Sequence, residues 1–269
     1  MDNKPRISGF VIMSEPDKLR YPYMESVKSF LPLCDEINVV YNILKPDNSL
    51  EKLQNLDPKV KVIYGLFDYS RFGWASQGIM RTNGYYASTG DIVLMFDADG
   101  ILHENDVEKA RLIINQMYNN KVAYGFWMKH RINQREKGVR QCKHSGIYNK
   151  SILGNNFNFY GGTQNYRPMW ELLPEEHKRA QNTDIYLYGY ERCWDNKKIF
   201  EMKLKDRKIM EGSKMSDQEY IDNFIQERID KVDKEGYLLP ILSQPKIIQE
   251  KLREIESYQF GYNLFQELK

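Results

Sequence analysis

The sequence has few cysteines, no long apolar run and almost no net charge. Its three cysteines, Cys34, Cys142 and Cys193, are odd in number and far apart, which argues against a disulfide framework and fits a reducing compartment. No window of about 18 apolar residues is present, so no membrane span is predicted. The first six residues lack the apolar segment of a signal peptide, and we therefore expect a cytoplasmic protein.

The net charge of +2 argues against a chain that binds polyanions over its whole surface. Basic residues are nevertheless concentrated between Lys121 and Lys150, where the only acid is Glu136. This stretch is either a solvated hairpin or a surface that contacts a polyanionic acceptor such as DNA, or an anionic glycan or lipid. The nearby side chains that would suit contact with DNA and a flipped base are Trp127, His130, His144 and Tyr148.

The first 118 residues or so alternate between strand and helix patterns. Apolar runs predict strands at Ile7–Met13, Glu36–Tyr41 and Val60–Tyr64 and in the run between Asp91 and Asp97. Amphipathic spacing predicts helices at about 22–30, 50–56, 76–87 and 104–118. This alternation predicts an α/β fold with a Rossmann-like, mostly parallel sheet and helices on both faces.

The second half has a different pattern. Two antiparallel strands are predicted at Val122–His130 and Gly138–Asn149, and a further strand at Asp184–Tyr190. Helices are predicted at about 170–179, 191–208, 217–234 and 244–266. We therefore divide the chain into a β-α half (1–118), a smaller antiparallel part of the same domain (119–208) and a C-terminal helical tail (209–269).

The most informative stretch is the apolar run that ends on Asp97 and Asp99, with Gly100 directly after it. Two carboxylates this close repel each other, and a bound divalent cation removes that cost. The pattern therefore predicts a site for Mg²⁺ or Mn²⁺, with Asp97 and Asp99 as ligands. A polar turn after a buried strand would have the same residues. Ligands bind outside the carboxyl ends of such strands, where Ser14 and Glu15 are also expected.

The same motif also resembles the first motif of the haloacid dehalogenase-like phosphatases. In that interpretation Asp97 is the nucleophile and Asp99 the acid and base. Those enzymes carry the motif near the start of the chain and need a later lysine and a second acidic pair. Here three β-α steps precede Asp97 and no such acidic pair follows it, which weighs against a phosphatase.

Several short segments together resemble family 2-like glycosyltransferases of the GT-A fold. They are Ile7–Phe10, Tyr21–Ser26, Leu31–Pro32, Asp35–Glu36, Arg81–Asn83, Gly90–Asp91 and Asp97–Asp99. Further on, Tyr186–Arg192 is similar to the His-Tyr-Gly-(Trp/Tyr)-Val-Arg segment of one branch of that family. The match covers about residues 7–118, is patchy to about 208 and is absent beyond. Asp-x-Asp alone is a weak motif, and the ordered set is much more specific.

The resemblance implies a glycosyltransferase that uses a nucleoside-diphosphate sugar as donor. Residues 1–118 would bind the donor and residues 119–208 the acceptor. Ser14 and Glu15 would lie beside the base and ribose. The remaining donor and metal residues would be Arg81, Asn83, Asp97 and Asp99, the last two binding the metal and the diphosphate.

The resemblance also implies an inverting transfer, in which a carboxylate removes the proton of the acceptor hydroxyl. The candidate bases are Glu191, Asp184 and Glu171, with Glu191 first because it adjoins the Tyr188-Gly189-Tyr190 segment. The acceptor would be a glycan or lipid-type molecule or, as a minority option, a modified base in DNA.

Two residues depart from the pattern of that family. Gly100 stands where related sequences usually have Glu, and Leu187 stands where they have His. If that His binds the metal, this chain has one ligand fewer, unless His144 or Asp184 substitutes. An inactive GT-A-like module that only binds a nucleotide or a partner is therefore the alternative to an enzyme.

Overall fold

A computed structural model describes residues 4–131, 140–155, 157–159, 180–190, 197–231 and 244–254. The strands in these ranges are β1 (Ile7–Met13), β2 (Glu36–Asn42), β3 (Val60–Gly65), β4 (Ile92–Met95), β5 (Gly100–Leu102), β6 (Tyr124–Arg131), β7 (Arg140–Asn149) and β8 (Ala180–Gly189). The helices are α1 (Tyr23–Phe30), α2 (Ser49–Gln54), α3 (Tyr69–Phe72), α4 (Ala75–Ala87), α5 (Val107–Asn119), α6 (Lys150–Leu153), α7 (Lys197–Glu211), α8 (Asp217–Lys231) and α9 (Lys246–Glu254). The helix predicted at 170–179 lies outside the described residues.

The predicted parallel sheet is confirmed. The described strands form one sheet in the order β3-β2-β1-β4-β7-β6-β8-β5, in which β1 pairs in parallel with β2 and β4, and β2 with β3. All residues of β2 and β4 are buried, as expected of strands covered on both faces. The carboxyl ends of β1 to β4 therefore share one edge. The loops that carry Ser14, Glu15, Asp97 and Asp99 start at this edge.

The second half of the sheet is mixed. The predicted hairpin is confirmed, since β6 pairs with β7 in antiparallel fashion, and β7 joins it to β4. Strand β8 runs parallel to β6 and antiparallel to β5. Strand β5 was not predicted. It is three residues long and follows a turn at once, so its strand character depends on pairing with a segment far along the chain.

Two apolar layers cover the sheet. On one face α1 and α5 pack against the strands, and the Phe30 ring stacks on Phe96 with centroids 4.0 Å apart. Another layer is an aromatic cluster in which the centroid of each ring lies 5.0 to 6.0 Å from that of a neighbouring ring. Its members are Phe10, Tyr85, Tyr124, Tyr148, Phe157 and Phe159. These layers keep the strands rigid beneath the carboxyl edge.

The C-terminal helices pack on the rest of the protein. Helix α7 contacts α3 and α8, and α9 contacts α1. Lys251 of α9 forms an ion pair with Glu25 of α1 at 3.3 Å. In the part of the chain that the structure describes, no helix is long and apolar enough to cross a membrane.

A buried carboxylate, Glu36, joins the amino ends of three strands. It accepts hydrogen bonds from the Ser8 hydroxyl (2.8 Å), from the Thr89 N–H (2.7 Å) and hydroxyl (2.7 Å), and from Lys61 Nζ (2.8 Å). Burial by itself would raise the pKa of Glu36, but these donors outweigh it and lower the pKa from 4.5 to about 2. The ionised form is therefore favoured in the folded protein.

Glu36→Gln is expected to destabilise the protein by about 2 kcal/mol near neutral pH. The unfolded chain takes up the proton near the ordinary pKa of 4.5 and the folded protein only near 2. The wild-type advantage is thus complete above pH 4.5 and is lost as the pH falls towards 2. Urea unfolding of both proteins from pH 7 down to about pH 3 measures this. A difference that does not shrink below pH 4.5 would contradict the assignment.

Candidate functional site

The site is built around the turn of Asp97, Ala98 and Asp99, which we call the carboxylate turn. It begins two residues after β4, where the Phe96 N–H still donates to the Phe10 carbonyl (3.2 Å). It closes with a bond from the Gly100 N–H to the Asp97 carbonyl (3.0 Å). Asp99 is only 7% exposed, whereas Asp97 is partly exposed. Two carboxylates, one of them nearly buried, therefore lie within one turn at the carboxyl edge.

Two serines of α1 bind the backbone around this turn. The Ser26 hydroxyl donates to the carbonyls of Asp97 (3.0 Å) and Gly100 (2.8 Å). The Ser29 hydroxyl accepts from the Leu102 N–H (3.1 Å) and donates to the Ser26 carbonyl (2.7 Å). Neither serine was among the residues predicted for the site. The sequence pattern that could have identified them is a pair of polar residues, three positions apart, on the buried face of an amphipathic helix.

Ser26→Ala is expected to lower the free energy of unfolding by about 1–2 kcal/mol, because two carbonyls at the turn lose a buried donor. Chemical denaturation measures this directly. Ser70→Ala is the matched control, since the Ser70 hydroxyl donates to the Asp68 carboxylate (2.6 Å) on the exposed surface, and its loss should change stability by less than about 0.5 kcal/mol. Equal stabilities of the two variants would contradict the role of Ser26.

The loop after β1 is bonded to its neighbours through Asn42, a fully buried residue that ends β2. Its Nδ2 donates to the Ser14 hydroxyl (3.0 Å) and to the Phe67 carbonyl (3.2 Å). Its Oδ1 accepts from the N–H groups of Leu44 (3.1 Å) and Phe67 (3.1 Å). One amide thus connects the loops after β1, β2 and β3. Asn42 was absent from the residues predicted for the site.

Glu15 has an unusual backbone for a residue other than glycine. Its φ of 49° lies in the left-handed region, which costs free energy and is concentrated at functional sites. The nearly buried carboxylate forms ion pairs with Lys18 and with Lys45 Nζ (3.5 Å). Lys45 also pairs with Asp206 of α7 (3.7 Å). Helix α7 therefore adjoins the β1 loop, which the sequence did not indicate.

Several charged side chains lie within electrostatic range of Tyr69. Burial raises the pKa of Tyr69 above its ordinary value, and the Asp206 carboxylate adds to the rise. The Arg81 guanidinium opposes that rise, and Glu15 adds to it. Glu15 and Arg81, both predicted for the donor site, thus lie within electrostatic range of one tyrosine hydroxyl.

Arg81 and Asn83 lie on different faces of α4. Arg81 is only 4% exposed and donates to Gln77 Oε1 (3.0 Å), whereas Asn83 is exposed. Residues two apart on a helix do not face each other. The structure therefore places Arg81 toward the interior, within electrostatic range of Tyr69, and Asn83 on the outer surface.

The three predicted bases are Glu191, Asp184 and Glu171. Tyr190, the residue before Glu191, lies beside the carboxylate turn. The Tyr190 N–H donates to the Asp99 carbonyl (2.8 Å), so the chain reaches residue 190 beside Asp99. Glu191 itself and Glu171 lie outside the described residues. Asp184 lies in β8 five residues before Gly189, the strand partner of Gly100, which corresponds to about 16 Å of extended strand.

The residues of the turn fit a hard divalent cation that completes its shell with other oxygens. Mg²⁺ is usually bound through one or two carboxylates, with waters and phosphates as the remaining ligands. Among the residues that the structure describes, no group of three or more His, Cys, Asp or Glu side chains could hold a metal. Position 187, where the resembling sequences have His, holds a leucine that is buried in the core, so this position supplies no imidazole ligand. The side chain of His144 lies outside the description.

The two departures from the family pattern adjoin each other. A Cβ atom built on Gly100 would lie 3.9 Å from Leu187 Cδ1, and 3.5 Å from its nearest neighbour, the Asp97 carbonyl. These are ordinary van der Waals distances, so space does not require glycine at this position. Gly100 and the buried Leu187 thus lie side by side, at two positions where the glycosyltransferases that the sequence resembles have polar residues.

Two residues of the basic stretch are used inside the fold. Lys150 Nζ donates to the carbonyls of Tyr85 (3.1 Å) and Ser88 (2.6 Å) at the end of α4, which stabilises the helix C-terminus. Tyr148 is buried against Phe157 and Phe159. The interpretation of Tyr148 as a base-contacting residue is therefore wrong. The side chains of Trp127, His130 and His144 lie outside the description.

The protein has a GT-A-like fold. Its mixed sheet has a parallel half and an antiparallel extension, and the carboxylate turn lies at their junction. Solved structures with this architecture are similar to the chain. The mannosyltransferase PcManGT from Pyrobaculum calidifontis, in complex with GDP-Man and Mn²⁺, has a TM-score of 0.51 at 12% identity, over 98% of this chain and 74% of that one.

Two further solved structures have lower TM-scores. Residues 1–349 of TarS from S. aureus match with a TM-score of 0.46 at 16% identity, over 98% of this chain and 92% of that one. The glucosyl-3-phosphoglycerate synthase of Mycobacterium tuberculosis matches with 0.48 at 13% identity, over 77% of each chain. No protein-family model matches the sequence, and no curated protein matches it. At these identities the likeness concerns the fold alone.

Proposed function

We propose that the protein is a glycosyltransferase that moves a sugar from a nucleoside-diphosphate sugar to an acceptor hydroxyl, with the help of Mg²⁺ or Mn²⁺. The observation that carries the proposal is the carboxylate turn, with Asp99 nearly buried, at the carboxyl edge of β4 in a GT-A-like fold. Ligands of such sheets bind at this edge. The similar mannosyltransferase structure contains GDP-Man and Mn²⁺, which supports the choice of donor and metal.

In this proposal Asp97 and Asp99 would hold the cation, and a cation held there would supply positive charge to the diphosphate leaving group. Ser14 and Glu15 lie beside the base and ribose, on the loop that Asn42 bonds to its neighbours. Arg81, within electrostatic range of Tyr69, faces the donor from the interior side. Asn83, being exposed, can reach only a part of the donor that extends to the outer surface of α4.

The transfer proceeds with inversion. The acceptor oxygen attacks the anomeric carbon, the bond from that carbon to the diphosphate oxygen breaks, and a carboxylate accepts the hydroxyl proton. We rank Glu191 first as the base, because it adjoins in sequence the Tyr188-Gly189-Tyr190 segment, whose Tyr190 N–H donates to the Asp99 carbonyl (2.8 Å). Asp184 and Glu171 are the alternatives.

The acceptor is proposed to be a glycan or lipid-type molecule, with a modified base in DNA as the minority option. Contact with a polyanionic acceptor would involve the basic stretch from Lys121 to Lys150. Within this stretch, Lys150 is bonded to the end of α4 and Tyr148 is buried. Neither residue is therefore available to contact an acceptor. This weakens the case for DNA.

A panel of nucleotide sugars, incubated with Mg²⁺ or Mn²⁺, tests the proposal through release of the nucleoside diphosphate. We expect slow, metal-dependent hydrolysis of one donor even without an acceptor. Phosphatase activity without any nucleotide sugar would favour the haloacid dehalogenase-like interpretation. Donor binding without turnover would indicate the inactive module, and the absence of both binding and turnover would overturn the proposal. Salt-dependent DNA binding would select the DNA acceptor.

A further inference from the structure

The C-terminal helix α9 packs behind the carboxylate turn. Ile248 and Leu252 of α9 form a buried apolar cluster with Ile101 of β5 and with Tyr190. Ile101 lies two residues after Asp99, and Tyr190 follows β8, the strand that pairs with β5. A helix from the far end of the chain therefore supports both backbone segments that adjoin the turn.

A buried polar pair connects this helix to Asp99. The Tyr190 hydroxyl donates to Gln244 Oε1 at 2.9 Å, and each residue is 1% exposed. The Tyr190 N–H in turn donates to the Asp99 carbonyl (2.8 Å). Hydrogen bonds between buried partners have defined geometry. Gln244, which lies two residues before α9 begins, thus holds the hydroxyl end of the Tyr190 side chain, while the backbone of the same residue bonds Asp99.

The same helix also contacts the element that binds the turn from the other side. Lys251 of α9 pairs with Glu25 of α1 (3.3 Å), and the next residue along, Ser26, donates to the Asp97 carbonyl (3.0 Å). The Lys246 N–H further bonds the Glu104 carboxylate (3.2 Å), just beyond β5. Helix α9 therefore adjoins both α1 and the Tyr190 segment, two elements whose groups bond the backbone of the carboxylate turn.

We propose that Tyr190 and Gln244 are positioning residues for the metal site and that α9 is a functional part of the catalytic unit. They act through the Asp99 backbone and do not touch the metal. Partners that orient ligands from behind contribute strongly to metal affinity. The inference rests on the proposed function, since it takes Asp99 as a metal ligand.

The test is Tyr190→Phe, which removes the hydroxyl and keeps the ring in its cluster. Titration with Mn²⁺ alone, and with Mn²⁺ plus UDP or GDP, is followed by the electron paramagnetic resonance signal of free Mn²⁺, so no turnover is needed. We expect Mn²⁺ to bind about 10-fold more weakly to the variant than to wild type. Gln244→Leu removes the partner and keeps Tyr190. It should weaken Mn²⁺ binding in the same way, which keeps the test valid if Tyr190→Phe does not fold.

Tyr85→Phe is the matched control. Tyr85 is also a fully buried tyrosine, its hydroxyl donates to the Gly154 carbonyl (2.9 Å), and it belongs to the aromatic cluster. It should lose thermal stability like Tyr190→Phe and bind Mn²⁺ like wild type. Equal Mn²⁺ affinity of wild type, Tyr190→Phe and Gln244→Leu would overturn the inference and leave the proposed function standing. A wild type that binds neither Mn²⁺ nor a nucleoside diphosphate would overturn the proposed function, and this inference with it.

Discussion

Asp99→Asn is expected to lower kcat/KM for sugar transfer by at least about 100-fold, while the protein stays folded. The substitution keeps the size of the side chain and its ability to accept a hydrogen bond, but it removes the charge that a divalent cation needs. Because Asp99 is 7% exposed, solvent cannot readily replace the lost ligand. The measurement is nucleoside-diphosphate release from the preferred donor at several Mg²⁺ or Mn²⁺ concentrations.

Asp91→Asn provides the control for this prediction. Asp91 precedes the same strand, β4, but lies at its amino end, where its Oδ2 accepts from the Arg6 N–H (2.9 Å). An amide oxygen can accept that bond equally well, so transfer by this variant should stay within about twofold of wild type. Loss of activity in both variants alike would point to general destabilisation. Full activity of Asp99→Asn would remove the carboxylate turn from the mechanism.

Asn42→Ala is expected to have the largest effect on stability, at about 3 kcal/mol, or roughly 6–12 °C in Tm. The fully buried amide makes four hydrogen bonds, to Ser14, Leu44 and both backbone groups of Phe67. Its removal leaves these groups without their partner and frees the β1 loop. We therefore also expect weaker binding of the donor. Thermal unfolding and equilibrium binding of the nucleoside diphosphate measure the two effects.

The control for Asn42 is Asn55→Ala. The Asn55 side chain bonds the Glu51 carbonyl (3.0 Å) on the exposed surface of α2, so its loss should cost no more than about 0.5 kcal/mol. If Asn42→Ala is no less stable than Asn55→Ala, the amide does not connect the three loops. If it is destabilised but binds the donor like wild type, the loop does not belong to the donor site.

The parallel half of the fold was predictable because its information is local. Strands that are covered on both faces need continuous apolar runs, and the runs at residues 7–13, 36–42 and 92–95 are fully or almost fully buried. The carboxylates Asp97 and Asp99 follow such a run, so their position at the carboxyl edge could be inferred from the order of residues alone.

The contacts that support the turn were not predictable, because they join residues far apart in the sequence. Ser26 bonds Asp97 across 71 positions and Tyr190 bonds Gln244 across 54. Strand β5 likewise depends on β8. A serine in a helix or a glutamine before one has no local pattern that identifies its partner. The exposure of a single side chain is likewise not predictable from composition, which could not show that Tyr148 is buried.

Crystals of the wild type soaked with Mn²⁺ and the released nucleoside diphosphate test the central claim most directly. We expect an anomalous manganese peak about 2.0–2.3 Å from a carboxylate oxygen of Asp99 or Asp97, with diphosphate oxygens as further ligands. A manganese ion bound away from the carboxylate turn, or a diphosphate bound without contact to that ion, would contradict it.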